Sequence, residues 1–93
     1  MENNLSLVKD KFKEMPNNIE AEQAVIGSIL VTNEIFDEIN TIISSTNFYD
    51  PMHQKIFNAI ESLIYKGMLA NPITLKNYFE NEKDEINVPE YLI

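Results

Sequence analysis

The chain has 93 residues, enough for one small domain and too few for two. Its 44 % hydrophobic content argues against disorder throughout, and the absence of cysteine excludes a disulfide framework or a thiolate metal site. Fifteen acidic side chains against seven lysines and no arginine give a net charge of −8, with no lysine between Glu14 and Gln54, so direct nucleic-acid binding is not expected.

Residues 1–15 are polar and mixed in charge. Leu5, Val8 and Phe12 could share one helical face, but the segment reads first as a flexible N-terminal stretch. A helix then runs from about Ile19 to Val31. Asn17 followed by Glu20 matches a capping box, and Glu20 and Glu22 put negative charge at the positive end of the helix dipole. Ala21, Val25, Ser28 and Ile29 line its core face, with Ile26 and Leu30 beside it. Ala21, Ala24, Gly27 and Ser28 are small enough to admit another helix closely. Mid-helix glycine costs roughly 1 kcal/mol against alanine, so close packing is the expected reason for Gly27.

Thr32-Asn33 supplies a cap for a second helix from Glu34 to about Ile43. Ile35, Phe36, Ile39, Ile42 and Ile43 form its apolar stripe, with a period of 3.6 that disfavours the strand alternative. Residues 44–47 form a polar loop. Asp50 as N-cap and Pro51 as first helical residue open the longest helix, Pro51 to Lys66, striped by Met52, Ile56, Phe57, Ile60, Leu63 and Ile64. Lys66 suits the negative helix end, and Gly67 suits the left-handed position beyond it. Asn71-Pro72 repeats the cap-then-proline device. Leu75, Tyr78 and Phe79 give that helix its apolar face to about Asn81. The acidic stretch from Glu80 to Glu85 reads as a solvated loop, and Val88-Pro89 starts another helix. The expected architecture is all-α, a small orthogonal bundle of about five short helices.

Side chains that could carry chemistry are few. His53 is the sole histidine, one turn before Phe57, and is expected to bond a backbone carbonyl or cap a neighbouring helix. Glu20 and Glu22 fall on opposite flanks of their helix and do not form a carboxylate pair. Phe48 and Tyr49 could stack on bases, but without flanking positive charge core packing ahead of Asp50 is the expectation. Gly27 and Gly67 make no phosphate-binding loop. No catalytic, cofactor-binding or metal-ligating residue is assigned. No apolar run reaches membrane-span length, so a cytoplasmic chain is expected.

The segment Pro16-Asn17-Asn18-Ile19-Glu20-Ala21-Glu22-Gln23-Ala24-Val25-Ile26-Gly27-Ser28-Ile29-Leu30 strongly resembles the opening of the N-terminal domain of bacterial DnaB-type replicative DNA helicases. Asn47-Phe48-Tyr49, His53 and Ile56-Phe57 look like a second block of that family. Gly67 through Thr74 and Leu75 resembles a third, with Leu69, Ala70 and Asn71 replacing its Pro, Ile and Asp. The resemblance implies that Glu20, Ala21, Glu22, Gly27, Phe48, Tyr49, His53, Ile56, Phe57, Gly67, Thr74 and Leu75 are structural motif residues. It further implies a helical head over residues 16–93 that stops short of a dimerising helical hairpin and an ATPase domain.

By that resemblance the parent is an ATP-dependent, ring-shaped hexamer that unwinds duplex DNA at the bacterial replication fork, near the nucleoid. Its N-terminal domains form a collar of paired subunits. ATP and magnesium would belong to the absent motor, so no cofactor is expected here. Other helicase subunits, primase and a helicase loader are the implied partners. The alternative from the residues alone is a free-standing acidic helical regulator, and a small hydrolase would need a site that the sequence does not offer.

Overall fold

Asn18 opens the first helix. Its backbone is extended and its side-chain Oδ1 accepts the Ala21 amide at 3.1 Å, satisfying one of the amides that a helix start leaves unpaired. The cap therefore sits one residue beyond the Asn17–Glu20 reading. The computed structural model describes residues 18–82. Expectations for residues 1–15 and for a helix starting at Val88 lie outside them.

Helix α1 spans Ile19–Val31, as its periodicity predicts. It buries Ala21, Glu22, Val25, Ile26 and Ile29. Ser28, expected on that face, is exposed, as is Ala24. Nothing among the described residues approaches within 4 Å of a Cβ built on Gly27, so the expected close packing is absent there.

The second segment is shorter and more irregular than predicted. A 3-10 turn over Asn33–Ile35 precedes α2, Phe36–Ile42. Thr32 makes no side-chain cap, and Asn33 has a different task. Its Nδ2 donates to the carbonyls of Ile29 at 2.8 Å and Ala70 at 3.0 Å, while its Oδ1 accepts the Ala70 amide at 2.8 Å. Competition for that side chain explains why the helix starts late: Asn33 fastens a distant loop instead of capping its own segment. Phe36 and Ile39 are buried from α2, and Ile43 is buried from an extended C-cap. The predicted stripe fails at Ile42, which is 40 % exposed.

Asn47 Oδ1 accepts the Ser44 amide at 2.8 Å and closes a second 3-10 turn, Ser45–Asn47, inside the polar loop. Helix α3 is Pro51–Tyr65, with the Asp50 carboxylate accepting the Met52 amide at 2.9 Å. Beyond it, Gly67 adopts φ 80°, with the Gly67 amide on Ile64 O and the Met68 amide on Leu63 O. That is the Schellman arrangement, in which a left-handed residue turns the chain back onto the last helical carbonyls. Helix α4 is Pro72–Asn81. Asn71 and Thr74 cap each other reciprocally at 2.9 Å, and the Thr74 hydroxyl also donates to Leu69 O at 2.8 Å.

The four α-helices, with no strand among the described residues, pack on one core. Phe57 lies at its centre, its ring 5.4 Å from Phe36 and 5.1 Å from Phe48 in tilted contacts. Val25, Ile26 and Ile29 approach from α1, Ile56, Ile60 and Leu63 from α3, and Leu75 and Phe79 from α4. The all-α small bundle expected from the sequence is present.

Candidate functional site

Two residues with ionisable side chains are fully enclosed in this core. Glu22 is 1 % exposed and His53 0 %. Their helices bring them together: Glu22 sits in the first turn of α1, and His53 is the third residue of α3. His53 Nδ1 donates to Glu22 Oε1 at 2.8 Å. The same oxygen accepts the Asp50 amide at 3.3 Å, and Oε2 accepts the Tyr49 amide. One carboxylate thus ties α1 to the connection that launches α3.

The electrostatics favour the arrangement. A buried carboxylate is costly unless its lone pairs are filled, and here both oxygens accept hydrogen bonds. The oxygens also face the N-terminal end of α3, where the helix dipole is positive. Gln54 Nε2 closes the turn by donating to Phe48 O at 2.7 Å, and the Phe48 ring meets the His53 ring edge-on at 6.3 Å. Among the described residues no buried side-chain nitrogen or oxygen lacks a partner. The cluster is enclosed and fully bonded, so what it can do is hold two helices in register.

The carboxylate from α1 is a partner for His53 that the sequence reading did not anticipate. Glu22 does not act mainly as an exposed dipole charge. Periodicity carried the signal for both. Glu22 precedes Val25, Ile26 and Ile29, and His53 precedes Ile56, Phe57 and Ile60, each at i+3, i+4 and i+7. Two polar residues each on a buried apolar face are natural partners for each other.

The remaining motif residues divide by burial. Ala21, Phe48, Ile56, Phe57 and Leu75 are core, and Thr74 and Gly67 shape the two ends of the α3–α4 connection. Gly27 is half-buried and Glu20 exposed. Core packing holds for Phe48 but fails for Tyr49, whose side chain is 60 % exposed while Glu22 anchors its amide. No group of three or more His, Cys, Asp or Glu among the described residues is arranged to hold a metal. No helix among them is long and apolar enough to cross a membrane.

Fold and cluster together define a small all-α domain whose polar centre is sealed inside its packing. Residues 14–93 match the family model described as the DnaB-like helicase N terminal domain. The chain belongs to that family. It is 41 % identical over 80 residues to a protein named replicative DNA helicase DnaB from Rickettsia felis, a match covering 84 % of this chain and 16 % of that one. A protein of the same name from Buchnera aphidicola subsp. Baizongia pistaciae is 37 % identical over 79 residues, covering 85 % of this chain and 17 % of its own length. The Pasteurella multocida protein of that name is 37 % identical over 65 residues, covering 70 % and 13 %. The chain thus spans about a sixth of the length of the first two of these curated relatives and 13 % of the third. No solved structure matches it.

Proposed function

We propose that this domain is the interaction head of a replicative DNA helicase, contacting neighbouring subunits of a ring-shaped assembly and docking primase or a helicase loader. The carrying observation is the enclosed Glu22–His53 cluster: the most elaborate polar arrangement of the fold is committed to packing, leaving the outer surface as the part that meets other molecules. The strongly acidic surface supports protein contact over strand contact, because a net charge of −8 repels phosphates. ATP hydrolysis and duplex unwinding, with their nucleotide and magnesium, belong on this reading to other parts of the parent protein. So does the helical hairpin that would pair subunits.

Size-exclusion chromatography with light scattering, followed by titration with purified helicase subunits and with a primase C-terminal domain, tests the proposal. Saturable binding to either is expected. A chain that binds neither, or that binds DNA tightly with a steep salt dependence, overturns it.

A further inference from the structure

A groove of about 260 Å³ lies between the α1–α2 junction and the end of α3. Glu34 and Asp37, spaced so that they share a side, form one wall. Ile64, Met68 and Leu69 form the other, and among the described residues no basic side chain lines it. Lys66, next in sequence to Gly67, instead lies over the Tyr78 ring at 5.9 Å.

The apolar wall is exposed yet held. Leu69 is 70 % and Met68 50 % exposed. The Met68 amide is bound by Leu63 O at 2.9 Å, Leu69 O accepts the Thr74 hydroxyl at 2.8 Å, and Asn33 grips both backbone groups of Ala70. Three successive residues are thus pinned, with two large apolar side chains directed to solvent. A contact surface already ordered in the free protein loses little entropy on binding.

We propose that this groove receives an amphipathic helix of a partner protein, with aliphatic side chains on one face and lysine or arginine along its flank. The inference rests on the reading of the chain as an interaction head. A volume of about 260 Å³ falls below the roughly 300–1,000 Å³ of small-molecule pockets and suits one or two aliphatic anchors of a helix in a groove. Glu34 and Asp37 select the basic flank. A second copy of this chain, itself at −8, is disfavoured by the same charge.

The full 93-residue chain is titrated with a fluorescent leucine–lysine amphipathic peptide of roughly 18 residues, five helical turns, and with a peptide of equal composition whose order abolishes the apolar face. The amphipathic peptide should bind at least about tenfold more tightly, and Leu69→Glu should cost at least about tenfold of that affinity. Paired Glu34→Gln and Asp37→Asn changes should weaken binding and flatten its salt dependence. Asn77→Glu, which adds the same charge to the exposed side of α4, should alter it by less than roughly twofold. Equal binding of the two peptides, or equal effects of Leu69→Glu and Asn77→Glu, overturns the proposal. Self-association that Leu69→Glu abolishes overturns it in favour of a second copy. If Leu69→Glu leaves binding to primase unchanged, the groove assignment fails and the interaction head, tested with helicase subunits and primase, stands. If the unaltered chain binds neither, the head itself fails.

Discussion

Glu22 and His53 depend on each other because each is buried with the other as its hydrogen-bond partner. Removing one side of a buried pair typically costs about 3–5 kcal/mol, since the survivor stays enclosed. Glu22→Ala and His53→Ala should each lower unfolding free energy by about that amount in urea denaturation, a large part of what a domain this small possesses. Glu22→Gln should cost less, because the amide oxygen can still accept one backbone N–H. A double Ala variant should lose much less than the sum of the singles, the mark of direct coupling. Additive losses would mean that the two side chains act separately.

The two glycines make opposite predictions. Gly67 has φ 80°, so alanine there should destabilise by about 1–2 kcal/mol even though space is open. Gly27 lies inside α1 with nothing among the described residues within 4 Å of a built Cβ, so Gly27→Ala should stabilise the chain by about 0.5–1 kcal/mol. Thermal melts of the two variants should move in opposite directions. A loss at Gly27 would show that something packs on that side of α1.

At the level of elements, the helix starts and stops encoded by neighbouring residues were legible in the sequence. Asp50-Pro51, Asn71-Pro72 and Gly67 do what their types favour, and α1, α3 and α4 end within a residue of the expected bounds. The second segment was not, because its register answers to Asn33, whose partner Ala70 is 37 residues away. Local pattern holds no trace of such a contact. The same reason hid the Glu22–His53 pair: periodicity shows that each lies on a buried face, but not which faces meet. Tyr49 escaped for a subtler cause, since its backbone belongs to the buried network and its side chain does not.

Asn33 yields the prediction proper to this scale. Asn33→Ala would strip partners from the Ile29 carbonyl and from both backbone groups of Ala70. A cost of about 1–3 kcal/mol follows, with NMR shift changes centred on residues 67–71 and not on α2. Asn71→Ala should cost about 0.5–2 kcal/mol through loss of the α4 cap, with fraying confined to that helix's first turn. If Asn33→Ala disturbs only α2, the Asn33 strap does not organise the loop.

For the molecule as a whole, membership of the DnaB-like helicase N-terminal domain family gives the bundle its context, and the structure shows how the described residues hold together without a disulfide. Short helices contribute little by themselves, so stability rests on the aromatic centre at Phe57 and on the few side chains that bridge elements.

The carboxylate of Glu22 also leaves a timing mark. The amides of Tyr49 and Asp50 stand outside any helix, where solvent would ordinarily exchange their hydrogens quickly. Their acceptor is 27 and 28 residues away, on α1. Deuterium uptake at these two amides therefore reports the parting of α1 from α3 and is indifferent to the fraying of either helix. If a partner binds the domain as proposed, a change in their exchange rate registers whether the contact reaches the joint between its two principal helices.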